Sequence, residues 1–84
     1  MERPFPIIDD SQVALIIDDI ATGHVRNRQL MLINNNEENV YHIFENFELA
    51  LKEAKNIVSN HHYFECWIYD KNGKIIEHII PLPR

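Results

Sequence analysis

Residues 7–23, IIDDSQVALIIDDIATG, decide the fold, because they read either as a helix or as a strand and the rest of the chain arranges itself around the answer. The helical reading has the stronger local chemistry. Asp9 stands as an N-cap with Gln12 three residues on to reach back to it, Ile8 and Val13 form a hydrophobic staple, and Gly23 supplies a stop. Val13, Ile16, Ile17 and Ile20 then share one face. Against it, the segment is rich in β-branched residues, and Asp18 and Asp19 fall near the negative end of the helix dipole. The strand reading has its own obstacle, since adjacent Asp18 and Asp19 must point to opposite faces of a sheet. The expectation is a helix; read as a strand, the segment leads to a five-stranded sheet with a single helix.

Downstream, RQLMLINNNEENVYHIF (residues 28–44) places two apolar runs around a polar, Asn-rich stretch, which predicts a hairpin with strands near 28–34 and 39–45. NFELALKEAKNIVSN (46–60) is the clearest helix. Asn46 caps it, Glu48 suits the first turn and can pair with Lys52, and Asn60 is placed to end it in a left-handed conformation. Phe47, Ala50, Leu51, Ala54, Ile57 and Val58 make its apolar stripe. YFECWIY (63–69) and KIIEHII (74–80) are then joined by DKNG, a strong hairpin signal, with Pro81 and Pro83 ending the second strand.

The expected fold is a single α+β domain over residues 1–84. It has a four-stranded, or five-stranded, antiparallel sheet of two hairpins with one or two helices on one face, in the order α-β-β-α-β-β. At 84 residues the chain buries only about 60–65% of its unfolded surface, so its core is thin. A composition of 45% hydrophobic and 25% charged residues is that of an ordinary globular protein. The N-terminus shows no basic region leading into a long apolar run, and Cys66 alone closes no internal disulfide, so a cytoplasmic location is expected. A formal charge of -5 weighs against direct nucleic-acid binding, and Arg26 and Arg28 form the only local basic cluster outside the turn lysines. No run is long enough to span a membrane.

Cys66, His78 and His62 are residue types that bind zinc, and the 70–74 turn decides whether the first two meet. A two-residue turn at Asn72-Gly73 sets Cys66 opposite Ile79 and His78 beside Trp67. A turn opened by Asp70, with Gly73 as a left-handed bulge, pairs Asp70 with Lys74 and puts Cys66 opposite His78. Either way, the tight ligand spacing of zinc sites is missing, and His24 and His42 complete a set only through tertiary structure. The residues read instead as a cysteine packed like a small hydrophobe and histidines at sheet margins. No nucleophile elbow or phosphate loop occurs around Ser11, Ser59, Gly23 or Gly73, and Asp9, Asp10, Asp18 and Asp19 match no calcium loop. The expectation is a non-enzymatic protein with no cofactor.

Tyr63, Trp67 and Tyr69 alternate with Phe64, Cys66 and Ile68, so both faces of this strand carry large apolar groups. Ile75, Ile76, Ile79 and Ile80 repeat the habit on the facing strand. One face serves the core, and the other needs a cover from the N-terminal segment or from a partner. FELALKEAKNIV followed by CWIYDKNGKII resembles the C-terminal half of several small bacterial and phage α+β domains. That resemblance covers less than half of the chain and implies no catalytic residues. The functional expectation is a small interaction or regulatory module for a protein partner, with a second copy of itself among the candidates. Tyr63, Trp67 and Tyr69 would be its anchors, Asp18 and Asp19 part of an acidic steering surface, and Glu65 and Glu77 its rim. The alternatives are a metal- or ligand-binding protein built on Cys66 and histidines, and a phage or bacterial inhibitor of a nucleic-acid-binding protein.

Overall fold

In a computed structural model that describes residues 5–31, 33 and 40–81, the deciding segment is a strand. β1 (Val13–Asp19) is followed by β2 (Val25–Arg26), β3 (His42–Phe44), α1 (Phe47–Asn60), β4 (Phe64–Tyr69) and β5 (Ile75–Ile79). The fold is α+β with one antiparallel sheet and, among the described residues, one helix. The expected N-terminal helix, and with it the order α-β-β-α-β-β, is therefore corrected.

The local signals that suggest a helix are present but serve turns. The Gln12 side chain does reach back to the Asp9 amide, at 2.8 Å, and the Gln12 amide donates to the Asp9 carbonyl at 3.0 Å, closing a turn before β1. Gly23 does adopt a positive φ of 75°, but within the tight connection from β1 to β2. Burial decides for the strand. Val13, Leu15 and Ile17 project into the core and Ala14 is buried on the other face, whereas a helical stripe through Ile16 and Ile20 would have left Leu15 outside.

β1 is the central strand. One of its edges pairs with β4 from Ala14↔Tyr69 to Asp19↔Phe64. The other is shared end to end, with β2 opposite Ile17 and Asp18 and β3 opposite Val13, Ala14 and Leu15. β5 lies outside β4, giving the order β2-β1-β4-β5. The predicted pairing of 28–34 with 39–45 is thus replaced by two short strands that both pair with β1. Arg28 and Gln29 belong to a turn, in which Asn27 Oδ1 accepts from the Gln29 and Met31 amides and Leu30 takes a φ of 66°. Of that expected hairpin, residues 32 and 34–39 lie outside the described residues.

α1 covers one face of the sheet with the stripe its spacing predicts. Ala50, Ala54, Ile57 and Val58 are buried against Val13, Leu15, Ile17, Phe64, Cys66, Ile68 and Ile79, with Phe47 and Leu51 at the margin. Asn46 caps the helix by accepting from the Leu49 amide at 2.9 Å. At the other end Asn60 stays helical, its side chain bonded back to Asn56. Extended His61, rather than a left-handed Asn60, ends the helix.

The β4–β5 hairpin combines both turn geometries. Asp70 pairs with Lys74 through the Asp70 N–H to Lys74 carbonyl bond at 2.9 Å, Gly73 has φ 77°, and Tyr69 lies opposite Ile75. A bulge at Ile76 then shifts the register by one residue, so that Ile68 faces Glu77, Trp67 faces His78 and Cys66 faces Ile79.

Candidate functional site

Strand alternation divides β4 between two environments. Phe64, Cys66 and Ile68 enter the core beneath α1, while Glu65, Trp67 and Tyr69 lie on the face that α1 leaves open. Cys66 and His78 are consequently on opposite faces of the sheet. His62 lies elsewhere, in a groove of about 540 Å³ between α1 and the end of β5 that is also lined by Lys55, Val58 and Ile80. Among the described residues no three His, Cys, Asp or Glu side chains converge as a metal site. Burial, reinforced by Asp18, Glu53 and Glu65, pushes the Cys66 thiol up to about 12, which makes it a neutral packing group.

Chemistry gathers instead around Trp67 on the open face. The two ladders set Asp18 opposite Glu65 and Trp67 opposite His78. The Trp67 indole N–H donates to Asp18 Oδ2 at 3.2 Å. His78 stacks on the indole at 3.6 Å between centroids and 7° between planes, and its Nε2 lies 2.6 Å from Glu65 Oε1. Burial, then the hydrogen bond and charge of Glu65, push the Asp18 carboxyl up to about 7, against the opposing effects of Trp67 and His78. Like charges directly opposite in a sheet repel, so a proton on this pair relieves the site.

The other half of the open face is covered from within. Phe5 of the N-terminal segment meets Tyr41 edge-on at 5.0 Å and Tyr69 at 6.0 Å, and the two tyrosines are 6.4 Å apart. Of the expected anchors, Trp67 and Tyr69 share the open face, whereas Tyr63 stands apart, 74% exposed in the connection between α1 and β4. The acidic surface is not continuous. Asp9 and Asp10 precede β1 and Asp18 and Asp19 end it, with Asp10 paired to Lys71. Asp19 lies on the opposite face from Asp18 and holds Arg26 at 3.4 Å and the Ala21 amide at 2.9 Å. The basic pair is also absorbed, with Arg26 over the Phe64 ring and Arg28 over the Phe44 ring.

Glu65 and His78 are the members of the Trp67 cluster that sequence reading did not join to Asp18. One hairpin register does bring His78 to Trp67, but the Asp18–Glu65 pairing depends on β1 and β4 being neighbours, for which the sequence carries no local signal.

These features define a small α+β protein with an antiparallel sheet, one helix, and a polar-aromatic cluster on its open face. Among the described residues no helix is long and apolar enough to cross a membrane. No family model, curated protein or solved structure gives a significant match to the chain.

Proposed function

We propose that this chain is a non-enzymatic interaction module that binds a protein partner along β5 and the adjoining open sheet face, the partner being a second copy of itself. The observation that carries this reading is the outermost strand: Ile75 and Ile76 of β5 and Ile80 just beyond it are 48%, 43% and 56% exposed, and among the described residues β5 pairs with β4 alone. Such an edge offers unpaired backbone groups together with apolar side chains, the combination that strand addition uses. The bulge at Ile76 and Pro81 beyond the strand confine that addition to a short segment. Trp67, beside β5 on the open face and opposite His78, extends the contact. The formal charge of -5 opposes bringing two copies together, so association strengthens as salt screens it.

Size-exclusion chromatography with light scattering over a wide concentration range tests this. The mass of tag-free protein should rise from monomer toward dimer with concentration, and more readily at high ionic strength. Ile76→Lys, at a position already exposed, should leave the fold intact and hold the protein monomeric. A wild-type chain that stays monomeric at every concentration and salt would overturn the proposal.

A further inference from the structure

The groove between α1 and the end of β5 sets an unpaired lysine beside an apolar floor in a chain of formal charge -5. We infer that it binds a small amphiphilic anion, an unbranched aliphatic carboxylate whose charge rests on Lys55 and whose tail lies along Val58, Ile79 and Ile80. The site stands apart from the self-association proposed above, since only Ile80 belongs both to the groove and to the exposed residues of the β5 edge.

Helical spacing builds one wall of the groove. Lys55, Val58 and Ser59 stand at i, i+3 and i+4 on α1 and so share a face, and His62 follows just beyond the C-cap, His61. Val58 is buried against the core, while Lys55, Ser59 and His62 remain exposed at the rim. Ile79 and Ile80 supply the opposite wall. The space between them is about 540 Å³, and its lining is mainly apolar with a few polar groups. Both features fall in the range of small-molecule pockets, which run from roughly 300 to 1,000 Å³. The four-carbon stem of Lys55 lets its ammonium reach over the groove while the methylenes lie against apolar surface.

Charge then selects the ligand. No Asp or Glu lines the groove, and the helical neighbours of Lys55 at i±3 and i±4 are Leu51, Lys52, Val58 and Ser59, none of them acidic. Among the described residues the ion pairs are Arg26 with Asp19, Lys71 with Asp10 and His78 with Glu65, so Lys55 is left without one. Glu77 shares the α1 side of β5 through its pairing with Ile68, but its carboxylate accepts from the His78 amide at 3.2 Å and is outside the lining. The C-terminal carbonyls of α1 would repel an anion, an effect confined to the last turn. Two of them are already occupied: the Asn56 carbonyl accepts from the Ser59 hydroxyl and the Asn60 amide, and the Ile57 carbonyl accepts from the His61 N–H. Lys55 lies more than one turn before that end, so the carboxylate sits beside the ammonium and clear of the helix terminus.

Octanoate is the probe, titrated into the isotopically labelled full chain and followed by amide NMR. It should shift the Lys55, Val58, Ser59, His62, Ile79 and Ile80 signals saturably, with half-saturation on the order of 1 mM for a ligand of about ten heavy atoms. Octanol, which has the same tail without the charge, should bind about three- to fivefold more weakly. Lys55→Gln, at an exposed position, should weaken octanoate by about the same factor and leave octanol unchanged. Lys55→Glu should reverse the preference, so that octylamine binds better than octanoate. Light scattering on the same samples reads self-association separately, so either proposal can fail without the other. Octanoate that binds no better than octanol, an affinity that Lys55→Gln leaves untouched, shifts centred on Ile75, Ile76 and Trp67, or no saturable shift in the millimolar range would each overturn the proposal.

Discussion

Asp18→Asn should raise the stability of the protein at alkaline pH and leave it nearly unchanged below about pH 4. Burial and Glu65 carry the Asp18 carboxyl from its ordinary 3.8 up to about 7 in the folded chain. Because the folded state binds the proton more tightly than the unfolded one, the associated stability is complete below the unfolded value. It declines as pH rises through the interval and is lost above the folded value. In a dry site, charging Asp18 would cost about 4 kcal/mol at about 1.36 kcal/mol for each pH unit. Asp18 is only part-buried, and solvent screening brings the expected penalty to about 1–2 kcal/mol. A domain of this size moves in Tm by about 4–8 °C per kcal/mol, so the variant should melt roughly 4–16 °C above the wild type near pH 8.5, with the difference shrinking toward zero below about pH 4. Half-buried His42 works in the opposite direction: burial lowers its pKa, so its contribution is lost as pH falls through the histidine range. That term is common to both proteins and cancels in their difference. Paired thermal melts across the pH range make the measurement. A variant less stable than wild type at alkaline pH, or a difference that does not vary with pH, would refute the raised Asp18 carboxyl.

Two further outcomes follow from the packing. Cys66 is fully buried and its thiol is held neutral, so iodoacetamide should label it only on the timescale of unfolding; rapid labelling of the native protein, read by mass spectrometry, would contradict its place in the core. Gly73→Ala should cost about 1–2 kcal/mol, because φ 77° is a left-handed conformation that a Cβ disfavours. The added carbon would also lie 3.6 Å from the Phe5 ring, an ordinary contact, so a chemical denaturation curve should show the loss without a change in cooperativity.

Where a single local interaction decides the structure, the sequence is legible. The α1 stripe from Ala50 to Val58, the Asn46 cap and the turn at Asp70–Lys74 are all set by residues within a few positions of one another. The hairpin shows the limit of such reading. Its two candidate registers look exclusive, yet the chain uses one at the turn and the other beyond Ile76, because a bulge converts between them while keeping Cys66 and Ile79 in the core.

The segment 7–23 shows the same limit at the level of the fold. Asp9, Gln12 and Gly23 make the local contacts a helix would use, and these contacts suit turns equally well. What decides is burial. As a strand β1 finds β4 on one edge and β2 and β3 on the other, and it buries Leu15 and Ile17 completely, a gain available only once distant parts of the chain are assembled. The adjacent Asp18 and Asp19, an obstacle on the sequence alone, become acceptable because tertiary structure gives each its own donor, the Trp67 indole on one face and the Arg26 guanidinium on the other. By itself the sequence determined the α+β class, the helix and the last hairpin, whose interactions are local. The central strand and the union of Asp18, Glu65, Trp67 and His78 were decided by tertiary structure, since strand neighbours distant in sequence are chosen by the burial of the whole.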